Sequence, residues 1–83
     1  MELVLFTSPS CQPCKMVKET FANNDFGIAT REVNVEEEPH EPRMYAVRSV
    51  PTILVLGSNG DVLAQHTGAL GKAGIEDLLR RAA

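Results

Sequence analysis

The sequence predicts an α/β domain in which a mixed four-stranded sheet is flanked by three helices, in the order βαβαββα. Three observations carry this reading. A strand–helix–strand beginning implies parallel neighbours. Asn59-Gly60, set between two strand-like runs, signals an antiparallel two-residue hairpin. Two segments carry apolar residues at helical spacing, Cys14/Val17/Phe21 and Ile75/Leu78/Leu79. Eighty-three residues suffice for one domain, taken as residues 1–83.

Glu2 to Thr7 reads as a buried strand because Leu3, Val4, Leu5 and Phe6 are apolar without a break. Ser8-Pro9-Ser10 interrupts it, and a helix follows from Cys11 or Gln12 to Ala22, with Asn23-Asn24-Asp25 suited to end it. Thr30 to Val35 alternates as a second strand with Val33 and Val35 on one face. Glu36-Glu37-Glu38-Pro39 supplies the acids and proline of a helix start, and that short helix is expected to end at Tyr45 or Val47. Thr52 to Leu56 is the third strand, Val62 to His66 the fourth, and Lys72 to Arg81 the last helix, with Arg80 and Arg81 favouring its C-terminal dipole. Phe6, Phe21 and Phe26 are core candidates, whereas Tyr45 and His66 read as packing or surface residues.

Composition narrows the function classes. The chain is 43% hydrophobic and 23% charged, with a net charge of −3, which disfavours a nucleic-acid or anionic-membrane partner. No apolar run approaches the roughly 20 residues of a membrane span. Met1 to Phe6 lacks the basic start and small-residue cleavage site of a secretory signal, so a cytoplasmic monomer is expected.

The chemistry is concentrated in Cys11-Gln12-Pro13-Cys14. So short a loop is a poor structural staple, because cross-link stabilisation grows with the length enclosed. The pair stands where a strand gives way to a helix, and the free N–H groups and dipole of a helix start stabilise a thiolate. Cys11, at the end of the loop, is the expected nucleophile. Cys14, on the inward face with Val17 and Phe21, is the expected resolving thiol. Lys15 adds a positive charge nearby. Zinc is the competing use of the pair, but it requires four ligands, and only the widely separated His40 and His66 offer nitrogen. No metal site is expected.

With these residues in hand the chain resembles the thioredoxin family over nearly its whole length. The resemblance rests on Cys-x-Pro-Cys-Lys after the first strand and Ser49-Val50-Pro51-Thr52 before the third. It extends to Gly57 and Gly60 around the hairpin, and to Thr67-Gly68-Ala69-Leu70 before the final helix. It implies a thioredoxin fold with a cis Val50–Pro51 bond beside the cysteine pair. It also implies that Val50 offers backbone groups to an incoming substrate strand and that Gly68 lets that strand approach; Ser10 forms the rim.

The departures are informative. The catalytic strand begins at Met1, so the domain is expected to lack the extra strand and helix that open most thioredoxins, as in glutaredoxins. Ser10 replaces the usual aromatic residue before the first cysteine, and Gln12 replaces the usual glycine after it. Pro13 stands second in the pair, as in thioredoxins, and without a Gly-Gly signature before the last helix a glutathione site is not expected. Leu5 stands where thioredoxins usually bury an aspartate that helps deprotonate the resolving thiol. Glu32, on the adjacent strand, is the candidate substitute if buried, and otherwise a solvated strand glutamate.

The resulting expectation is a protein-disulfide reductase whose partners are disulfide-bearing proteins and a flavoprotein thioredoxin reductase. It binds no cofactor itself, since nicotinamide and flavin belong to the partner and the chain has no dinucleotide fingerprint. The alternatives are a glutaredoxin-like electron donor to ribonucleotide reductase and a non-catalytic thioredoxin-fold binding module.

Overall fold

The computed structural model describes residues 1–83 and contains β1 (Glu2–Thr7), α1 (Gln12–Asn23), β2 (Ala29–Asn34), α2 (His40–Met44), β3 (Thr52–Leu56), β4 (Val62–Thr67) and α3 (Lys72–Ala82). The sheet order is β2-β1-β3-β4. β1 pairs parallel with β2 and antiparallel with β3, and β3 pairs antiparallel with β4. The predicted mixed sheet and three helices are therefore present.

The unbroken apolar run of β1 is explained by its central place, covered on both faces. Leu3 and Leu5 enter a cluster with Val17, Ile53, Val55, Ile75 and Leu78, on the side of α1 and α3. Val4 and Phe6 point the other way and pack with Val33, Leu54 and Leu56, where Tyr45, Val47 and Val50 close the layer. Side chains of a strand alternate between faces, so one short segment supplies both cores. Fully burying each such aliphatic side chain contributes about 1.5–3 kcal/mol. Phe21 and Phe26 are only half-buried, their ring centroids 6.0 Å apart at the margin of the first cluster. No helix is long and apolar enough to cross a membrane.

Two local expectations are corrected. Glu36, Glu37 and Glu38 do not begin α2; they form a turn beyond β2. Asn34 Oδ1 accepts from the Glu36 amide at 2.9 Å, and the Asn34 carbonyl accepts from the amides of Glu37 and Glu38 at 3.1 and 2.9 Å. An asparagine that caps its own following turn diverts the backbone from a helix, so α2 starts later, with Pro39 as its N-cap. It ends at Met44, and Ala46 turns the chain with φ 57°. The β3–β4 hairpin has a three-residue loop, Ser58 to Gly60, rather than a two-residue one. The Gly57 amide donates to the Asp61 carbonyl at 2.8 Å and the Gly60 amide to Gly57 at 3.0 Å. Gly60 takes φ 87°, the left-handed residue such loops require. Leu56 then faces Val62 while Val55 faces Ala64, which leaves a bulge in β4.

A helix of five residues has no stability of its own. α2 is held by Arg31 of β2, whose two terminal nitrogens donate to both carboxylate oxygens of Glu41 at 2.6 Å while Nε donates to Glu2 at 3.1 Å. The Arg31 guanidinium holds the Glu41 carboxyl below the usual carboxylate range, against an opposing effect of burial. A depressed folded-state pKa contributes stability above the unfolded value that disappears as pH falls through the folded one. Glu41→Gln is therefore expected to cost about 1 kcal/mol at pH 7, modest because the pair is partly solvated. The wild-type advantage should be smaller at pH ~3 than at pH 7, because it is lost as pH falls from the ordinary carboxylate range through the lower folded-state pKa. Urea unfolding at both pH values checks this, and an equal difference at the two would rule out the ion pair as its source.

Candidate active site

The site lies at the edge of the sheet where β1 ends. Thr52 pairs with Phe6 in one direction and with Thr67 in the other. One step further along both ladders, Pro51 falls level with Thr7 and with Gly68, and the Gly68 amide donates to the Pro51 carbonyl at 2.8 Å. Three segments remote in sequence thus meet beside the loop that carries Cys11. The Val50–Pro51 peptide bond is cis, Pro51 is buried and Val50 half-buried.

Cys11 is the N-cap of α1, with φ −88° and ψ 109°, and its own amide donates back to the Ser8 carbonyl at 3.2 Å. Its sulfur takes the part usually played by a serine or aspartate oxygen, accepting from the Cys14 amide at 3.1 Å. That bond is set by the turn of the helix, so it is available to a thiolate at the same place. Pro13 fits the first turn because its missing N–H has no partner to lose there. Cys11 and Cys14 are joined in a disulfide. Cys14 is fully buried while Cys11 is half-exposed, so an incoming group meets Cys11 first.

The other predicted residues divide into two groups. Ser10, Gln12, Pro13 and Lys15 are exposed around Cys11. Gly68 is half-buried with φ 110°, a conformation that favours glycine, so its identity has a backbone cause beyond room for a partner. Glu32 is the correction. It stands opposite Leu5 in the β1–β2 register, as expected, but its side chain is 46% exposed and pairs with Lys18 at 3.5 Å. On its face of β2 Glu32 stays exposed, while Val33 on the other face is buried, so the burial on which a proton-transfer role depended is absent. The solvated-glutamate alternative describes it.

His66 reads from the sequence as a packing or surface residue, and its position gives it more interest. It pairs with Ile53, shares the sheet face of Leu5 and Ile53, and brings Nε2 to within 3.7 Å of where a side chain on Gly68 would begin. Its spacing of two residues before Gly68, on an alternating strand, was the available signal. No group of three or more histidine, cysteine or acidic side chains is arranged to hold a metal ion.

Comparison with known proteins agrees with this geometry. Residues 1–81 match the family model described as Thioredoxin. The chain is similar to a thioredoxin of Buchnera aphidicola, 31% identical over 84 residues that cover 93% of this chain and 74% of that protein. It is also similar to thioredoxin 2 of Chlorobaculum tepidum, 39% identical over 74 residues, 84% of this chain and 67% of the other. Among solved structures, thioredoxin 1 of Thermosipho africanus superimposes with a TM-score of 0.83 over 98% of this chain and 92% of its own, at 20% identity. That last likeness speaks for the fold alone.

Proposed function

Because the chain belongs to the thioredoxin family and is a disulfide oxidoreductase of that family, we propose that it works as a reductant of protein disulfides, with Cys11 attacking and Cys14 resolving. The observation that supports this division is the amide of Cys14 donating to the sulfur of half-exposed Cys11, while Cys14 itself is fully buried. A thiolate at Cys11 gains that hydrogen bond and the helix dipole. It attacks one sulfur of a substrate disulfide, forms a mixed disulfide and expels the other sulfur as a thiolate, which takes a proton. Cys14 then gives up its proton and attacks Cys11 Sγ, breaking the mixed disulfide and expelling the second substrate sulfur as a thiolate, which takes a proton. Two electrons pass to the substrate, which leaves as a dithiol, and the Cys11–Cys14 disulfide described above is the product.

Val50, Pro51, Gly68 and Ser10 form the surface on which the substrate strand lies, and Lys15 supports the thiolate. A flavoprotein reductase in the cytoplasm returns the protein to its dithiol form, with flavin and nicotinamide residing on that partner. Insulin disulfide reduction with dithiothreitol tests the reading: wild type is expected to accelerate it well above the dithiothreitol background, and Cys11→Ser to return it to background. Equal rates for the two proteins would refute a role for Cys11.

A further inference from the structure

One ion pair ties α1 to the sheet: Lys18 Nζ stands 3.5 Å from Glu32 Oε1. Glu32, Leu5, Ile53 and His66 form one row across the sheet, on the face that packs against Val17 of α1. Lys18 is thus drawn along the flank of α1 towards β2. It follows Cys14 by four residues, and residues four apart on a helix are neighbours, their Cβ atoms about 5–6 Å apart. Helical side chains lean towards the N-terminus, so the stem of Lys18 leaves its Cα in the direction of the turn that holds Cys14. Cys14 is fully buried, whereas the Lys18 and Glu32 side chains are 38% and 46% exposed. The pair therefore stands at the solvent margin, one helical turn from the buried thiol.

The resolving step needs that thiol as a thiolate, and burial opposes the charge. The surrounding elements offer little to offset it. β1 and β3 carry no charged side chain on this face. Lys15 and Glu19 are exposed on other sides of α1. The charges of α3 are paired within that helix, Lys72 with Glu76 and both Arg80 and Arg81 with Asp77. His66 stands at the far end of the row from Glu32, beside the Gly68 turn. Resting on the reductase reading above, we propose that Lys18 is a positioning residue for resolution: its ammonium stabilises the Cys14 thiolate, and Glu32 tempers that help by pairing with it. Cys14 gives its proton to water, and Lys18 forms no bond in the step. A positive neighbour favours the charged form of a thiol, so the help is greatest at low pH and fades where the thiolate forms unaided.

The test mixes the reduced protein with one equivalent of the disulfide of 5-thio-2-nitrobenzoate. Cys11 attacks one sulfur and releases a first chromophore; Cys14 then attacks Cys11 Sγ and releases the second, a first-order step that reads resolution alone. Lys18→Met keeps an unbranched stem without the charge. It is expected to slow the second release roughly 3-fold at pH ~6.5 while leaving the first unchanged. That deficit should shrink as pH rises towards ~10, through and beyond the ordinary thiol range. Lys18→Arg should restore the wild-type rate, and Glu32→Gln should speed the second release about 2-fold at the lower pH. A second release that Lys18→Met leaves unchanged, or slows equally at every pH, would overturn the proposal. Slowing by Glu32→Gln would overturn it too, by making the carboxylate a proton acceptor. Insulin reduction keeps the two readings apart: if it depends on Cys11, the reductase reading stands even when the Lys18 variants match wild type.

Discussion

Cys14→Ser is expected to arrest the protein on its substrate, accumulating a covalent complex through Cys11 and losing at least about a thousandfold in turnover. The size of the loss follows from the enclosed geometry, since a neighbouring thiol held in place acts at an effective concentration far above that of free thiols. Cys14 is fully buried one helical turn behind Cys11 and is already bonded to it in the oxidised form. No exposed thiol substitutes for it, because the chain has only these two cysteines. Non-reducing electrophoresis of the variant with an oxidised protein substrate should show an adduct that dithiothreitol dissolves and that Cys11→Ser does not form. Full turnover in Cys14→Ser would assign resolution to an external thiol and remove Cys14 from the mechanism.

The second large effect concerns stability. Leu5 is fully buried in the central strand, with Glu32 and Ile53 as its register neighbours. Leu5→Asp is expected to cost about 3–5 kcal/mol at pH 7, combining lost apolar burial with desolvation of a carboxylate. Glu32 pairs with Lys18 toward solvent and offers the new group nothing, and Thr7 and Thr52 are the only buried polar side chains. Burial raises the folded-state pKa of the introduced acid above its unfolded value. The penalty is thus complete above the folded pKa, shrinks as pH falls below it, and is least below the unfolded value of about 3.9. Urea unfolding between pH 8 and pH 4 measures it. A loss under about 1 kcal/mol would mean that the site relaxes to admit water, contrary to the sealed packing around Leu5.

How much of this was legible in the sequence depended on the range of the interactions involved. β1, β3 and the two long helices were legible because burial on one face or on both writes itself into the local pattern of apolar residues. The place of Cys11 at the start of α1 was legible because a helix start is itself local. The limits of α2 were not, since Asn34 captures the amides that follow it, and the anchor of α2 is an arginine on another strand. The fate of Glu32 was decided by the face of β2 it takes: Val33 beside it turns to the packed face and is buried, whereas Glu32 stays exposed and meets Lys18. Gly68 meeting Pro51 likewise depended on strand pairing, the β3–β4 ladder carried one step beyond Thr52 and Thr67.

The bulge in β4 has a consequence for self-association. β4 is an edge strand without a single charged side chain, and Val62 and Leu63 are both exposed at its start. An uncharged, aliphatic edge is a template for another chain's strand, the beginning of an ordered aggregate. The extra residue between Val62 and Ala64 breaks the spacing of that template where its side chains are stickiest, leaving only Ala64 to Thr67 in regular register. The irregularity protects the protein in the way a lysine or proline protects other edges, with no charge spent on the strand.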